Sequence, residues 1–170
     1  MVNKLKILSI LFFFFISSSK VLAENIRYIN LDYIIKNTTS GKLILNKLET
    51  KNKENLDGFK LKEKDLRTRE QDIINKKNIL SKDEFDSKLL ELSQDMNVYN
   101  SNKKKKIVEF EKIKKNMIDN FLKQINPLIE DYVKNNSIDM VINKNNLFIA
   151  SKKLDISNDI IQIINNKFGN

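Results

Sequence analysis

The residue pattern predicts an α+β fold, mostly helical, in which a long antiparallel helical hairpin projects from a small strand-containing base. Between residues 42 and 134 apolar side chains recur at helical spacings in two successive stretches, and short runs of branched and aromatic residues flank that block at 26–31 and 138–150. Composition agrees: 31% of the 170 residues are charged, while the 41% that are hydrophobic recur with a period, unlike those of a disordered chain. The helices carry too little apolar surface to close a core around a small ligand, and much charged surface with which to touch something large.

The first 23 residues have the makeup of a secretory signal. Lys4 and Lys6 form a basic start, residues 7–16 are apolar except for Ser9, and the stretch ends in Val21-Leu22-Ala23. An uncleaved anchor is the rival reading, but crossing a bilayer takes about 20 apolar residues. Cleavage after Ala23 and export to the periplasm are therefore expected, leaving one domain at 24–170. Its base comes from 24–41 and 135–170, and its hairpin from 42–134. Cleavage would remove three lysines and no acid, lowering the net charge from +9 to +6.

Residues 26–31 suit a strand with one buried face, 32–37 a short helix and 38–41 a turn. From Lys42 the period becomes seven. Leu45, Asn52, Phe59, Leu66, Ile73 and Leu80 recur, with Leu48, Asn55, Lys62, Arg69 and Lys76 at the companion positions, so only half of the seam is apolar and packing is narrow. Residues 78–83 form the expected tip, because Ser81 followed by Glu84 is a capping box that restarts a helix.

The return arm carries Phe85, Leu89, Leu92, Met96, Tyr99, Ile107, Phe110, Ile113, Met117, Phe121, Ile125, Leu128 and Tyr132, with Lys103 in the gap. Folding the arms about the tip sets Ile73 near Leu89, Leu66 near Met96 and Gly58 opposite Lys103. Glycine inside a helix costs about 1 kcal/mol relative to alanine, and a buried lysine needs a partner. Gly58 is therefore the expected hinge, with arms that bend or splay near their midpoint. Phe59, Phe85, Tyr99, Phe110 and Phe121 are expected in the seam. Pro127 predicts a kink, or a fresh start capped by Asn126. Two strands, 138–142 and 147–150, then form an antiparallel hairpin, and a helix over 156–168 is capped by Asp155 or Ser157.

Chemistry is bounded by what is missing. The chain has no histidine and no cysteine, which excludes classical triads and zinc sites. Its glycines are Gly41, Gly58 and Gly169, too few for a phosphate-cradling loop, and no cofactor is expected. Asp83, Glu84 and Asp86 lie where a helix start favours negative charge, so the chain is not read as an enzyme.

The ends carry a recognisable order of parts. Ile29-Asn30-Leu31 is followed by Ser40-Gly41 turning into the long helix; at the back, Ile138-Asp139-Met140-Val141-Ile142 is followed by Leu147-Phe148-Ile149-Ala150 and by Asp155-Ile156-Ser157 opening the last helix. This order resembles the Skp/OmpH family of periplasmic chaperones for outer-membrane proteins, over the whole mature chain. Pro127 departs from the uninterrupted helix expected there.

The resemblance implies a homotrimer. Three strands per subunit would join in a trimeric β-barrel base, placing Ile29, Leu31, Ile138, Met140, Val141, Ile142, Leu147 and Ile149 in the oligomerisation base. Unpaired strand edges also favour pairing with further copies. Three hairpins would surround a cavity that holds unfolded outer-membrane proteins without ATP and prevents their aggregation. Residues 42–134 carry 22 basic and 17 acidic side chains, a field that would attract an acidic client. Lys76, Lys77 and Lys82 near the tip, and Lys103, Lys104, Lys105 and Lys106 in the arm, are candidate contacts for client, anionic lipid or lipopolysaccharide; solvated faces are the plainer reading. The main alternative is an exported coiled-coil scaffold of the cell envelope. A nucleic-acid binder fits a pI of 9.5 but not export.

Overall fold

The computed structural model describes residues 25–169, so the expected signal at 1–23 lies outside the described residues. The elements in chain order are β1 (Ile26–Ile29), α1 (Leu31–Asn37), α2 (Thr39–Asn75), α3 (Lys82–Asn135), β2 (Met140–Asn143) and α4 (Ser157–Phe168), with 3-10 turns at Lys144–Asn146 and Lys152–Leu154. α2 and α3 form the hairpin and the remaining elements gather at its root. Among the described residues no helix is long and apolar enough to cross a membrane.

Most of the apolar core lies at this root. Ile34, Ile125, Ile160 and Ile164 are fully buried, and Ile29, Ile35, Phe121, Ile138, Ile156 and Ile161 are nearly so. Ile44 and Leu45 from the start of α2, and Ile118 to Val133 from the end of α3, pack against them from the arms. A helix rarely presents so many β-branched side chains; α4 does so because Ile160, Ile161 and Ile164 form one apolar stripe facing the core.

The turn expected at 38–41 is confined to Thr38. Its backbone N–H closes α1 on the Ile34 carbonyl, and its hydroxyl caps α2 by accepting from the Gly41 N–H at 3.2 Å. One buried threonine thus serves two helices. Gly41 is required by close approach, since a Cβ there would sit 2.0 Å from the Ile35 carbonyl oxygen.

The base sheet differs from the expected antiparallel hairpin. β1 pairs with β2 in parallel, Ile26 opposite Met140 through Ile29 opposite Asn143. Asn143 starts a 3-10 turn by accepting the Asn145 N–H at 3.1 Å, so the chain leaves β2 without reversing onto it. Residues 147–150 are consequently no strand, and β2 finds its partner at the other end of the chain. On its far side β1 meets Asp155 through Tyr28, whose carbonyl accepts the Ile156 N–H at 3.1 Å.

Ser157 is the first residue of α4 rather than its cap. Its hydroxyl accepts the Asn30 N–H at 2.8 Å and donates to Asp155, whose carboxylate also accepts the Ser157 N–H. This buried knot ties the end of β1 to the start of the last helix.

Both arms are continuous. α2 passes through Gly58 and α3 through Pro127 without a fresh start at Asn126. Phe121 and Ile125 before the proline, and Leu128, Ile129 and Tyr132 after it, pack on one core. Ser81 and Glu84 form the expected capping box.

The two glycines should therefore respond oppositely to alanine. At Gly58 an added Cβ meets nothing within 4 Å, so Gly58→Ala should raise stability by about 1 kcal/mol. Gly41→Ala should lower it by about 1–3 kcal/mol through overpacking. Urea denaturation of both variants checks the pair of signs.

Candidate functional site

The hairpin seam is narrower than the apolar periodicity suggests. Among the described residues Leu66, Ile73 and Leu92 form its one buried cluster beyond the root, with Phe85 and Tyr99 against it. Leu89 and Met96, the expected partners of Ile73 and Leu66, lie on the flank at 39% and 42% exposure, and Leu92 sits in the seam instead. Ile107 and Ile113 are exposed as well.

Polar links complete the seam. Arg69 reaches Asp95 at 2.5 Å and Glu91 at 3.8 Å. Glu63, one residue along from the expected Lys62, accepts from Lys103 at 2.7 Å and from the Tyr99 hydroxyl at 2.6 Å. Lys62 instead turns outward to Asp65 on its own helix. The Lys103 ammonium also lies 5.4 Å from the Phe59 ring centre and 5.7 Å from that of Tyr99. Lys103 therefore bridges the arms, while Lys104, Lys105 and Lys106 are exposed.

This clasp shifts its own titrations. Hydrogen bonds from Lys103 first and Tyr99 second hold the Glu63 carboxyl below its ordinary 4.5. The Glu63 hydrogen bond raises Lys103 above 10.5. Burial first, then Glu63, raises the Tyr99 hydroxyl. A lowered carboxyl contributes stability that is present above its unfolded value and lost as pH falls through the folded one. A raised ammonium contributes below its unfolded value and loses it as pH rises through the folded one. The clasp thus holds across the neutral range.

A cleft of ≈ 390 Å³ opens beside Gly58, lined by apolar and aromatic Phe59, Val98 and Tyr99, by Asn102, and by the charged Lys62, Asp95, Lys103 and Lys106. Gly58 faces Lys103 across it as expected, but as a gap in the wall of an unbroken helix.

At the tip, Lys76, Lys77 and Lys82 are exposed around Ile79, itself 82% exposed. Backbone bonds from Ile79 and Leu80 to the Lys76 carbonyl wind this turn tightly.

The expected base residues divide in two. Ile29 and Ile138 are buried in the subunit's own core, with Leu31 and Val141 packed against it; Ile142 and Leu147 are half-buried. Met140 is exposed, and Ile149 and the neighbouring Phe148 stand bare at 86% and 104%. Tyr99 lies against the seam as expected, whereas Phe148 and Glu63 are not among the candidates read from the sequence. Glu63 was legible in principle, because Phe59, Glu63, Leu66 and Ile73 follow steps of four, three and seven.

Residues 25–164 match the outer membrane protein (OmpH-like) family. Among solved structures, a Caulobacter crescentus protein described as a candidate outer membrane chaperone (OmpH-like) shares the fold, with a TM-score of 0.73 at 12% identity over 86% of each chain. No curated protein matches the sequence.

In the folded protein the Glu63 carboxyl should titrate below 4.5, and Lys103→Gln should return its midpoint towards that value. Carboxyl carbon shifts followed against pH by NMR measure both.

Proposed function

Because this chain belongs to the OmpH-like outer membrane protein family, we propose that it is an ATP-independent periplasmic holdase, which binds unfolded outer-membrane proteins between helical arms and keeps them from aggregating. The observation that carries the reading is the surface of those arms. Leu56, Leu61, Leu90, Val98, Ile107 and Val108 lie exposed among cations that outnumber acids along the hairpin. A coiled coil that merely spaces other components would bury such side chains in its seam. Scattered apolar contacts and a positive field suit an extended, acidic, changing partner, held by many weak interactions and released without nucleotide.

The base supports a homotrimer. β1 is occupied on both sides, whereas no described strand covers the outer edge of β2. Met140 at the start of β2, and Phe148 and Ile149 on the chain beyond it, stand exposed. Strand pairing with neighbouring copies would cover both the open edge and the apolar side chains, which otherwise invite aggregation. Lys76, Lys77 and Lys82 at the free end of the arms are then placed to meet client or anionic lipid first. Export with cleavage after Ala23 belongs to the same reading.

The mature chain, at one trimer per client, should suppress aggregation of an outer-membrane β-barrel diluted from urea, without ATP and less well at high salt. Light scattering that rises as fast with the protein as without it would refute the holding role. Sedimentation should give three copies, and Phe148→Asp with Ile149→Asp should give one while leaving helical content unchanged by circular dichroism.

A further inference from the structure

We propose that the cleft beside Gly58 seats one aromatic side chain from an acidic, extended stretch of client polypeptide, an assignment that rests on the holding role above. Its volume of ≈ 390 Å³ falls within the range of about 300–1,000 Å³ usual for specific ligand sites. Its wall is open because Gly58 carries no side chain and nothing stands within 4 Å of where a Cβ would be. The rings of Phe59 and Tyr99 and the half-exposed Val98 supply apolar and aromatic contact. The Lys103 ammonium, held over both rings by Glu63, offers an incoming ring a fixed cation as well as a ring neighbour.

Charge selects what lies beside that ring. Among the described residues Asp95 is the one acid in the lining and is already engaged by Arg69, while Lys62 is engaged by Asp65. Lys106 has no ion-pair partner among the described residues, nor have Lys104 and Lys105 next to it. An aspartate or glutamate flanking the aromatic residue would meet this free cation, whereas a lysine would be repelled. The larger depression of ≈ 510 Å³ along α2 lacks this combination, being lined only by polar residues of that one helix.

The test titrates isotope-labelled mature protein with an acetylated, amidated peptide holding one phenylalanine between aspartates. Amide shifts should cluster at Gly58, Phe59, Val98, Asn102 and Lys106. Replacing the phenylalanine by alanine, or the aspartates by lysines, should weaken binding about tenfold or more. Gly58→Leu, which fills the cleft and favours the helix, should do the same without lowering the melting temperature. Val98→Glu, at an exposed position, should weaken the aspartate peptide through charge. Shifts scattered along both arms, or equal affinity in both variants, would overturn the assignment. Aggregation suppression measured in parallel separates the failures: suppression without clustered shifts sinks the cleft alone, whereas the absence of both sinks the holding role with it.

Discussion

β1 and β2 run parallel although they lie at opposite ends of the hairpin, Ile26 beside Met140. Parallel strands cannot be joined by a tight turn and need a crossover connection, usually helical. Here the crossover is the entire hairpin, α2 out and α3 back. The arms are therefore a connection within a strand-helix-strand unit that has grown far past the sheet it serves. Ile34, Ile125, Ile160 and Ile164 close that connection at its root by bringing α1, α3 and α4 onto one core. Deleting a buried isoleucine there would cost about 2–5 kcal/mol, a large share of a typical domain's stability.

Distance from the root sets the rest of the physics. Near the base the arms share the main core; further out they are joined by Leu66, Ile73 and Leu92, flanked by the Arg69 and Glu63 bridges. Between the two lies the stretch around Gly58, where the arms leave a cleft. Exposed ion pairs add little stability and are screened by salt, so the outer arms are held far less firmly than the root. Weak holding and exposed apolar side chains have one origin. A seam one side chain wide leaves Leu56, Leu61, Leu90, Val98, Ile107 and Val108 exposed along the arms, and the proposed holding surface would consist of such residues.

The hairpin was legible because helical periodicity survives solvation: the capping box at Ser81 and Glu84 and both arms follow from local spacing. Sheet topology was not, because Ile138 to Ala150 contains two β-like runs and local reasoning pairs neighbours. The partner of β2 lies over a hundred residues away, and only the fold brings it there. The seam was half legible. Counting strict sevens placed Lys62 inward, whereas the helix turns Glu63 inward and meets Lys103, so the lysine that seemed to interrupt the return arm is the one that links it. Gly58, read as a hinge, leaves α2 continuous and lines the cleft between the arms. Pro127 leaves α3 uninterrupted because the core grips both sides of it, a tertiary effect that no propensity contains.

Native-state amide hydrogen exchange tests the central claim most directly, since it reads stability residue by residue. The account predicts that amides of Ile34, Phe121, Ile125, Ile160 and Ile164 exchange only through global unfolding. Those around Gly58, and those of α3 facing it near Asn102, should open at a fraction of that free energy, and the Leu66 and Leu92 region should fall between. Equal protection from the root to the tip would contradict it, because the arms would then be as firmly built as the base that is held to support them.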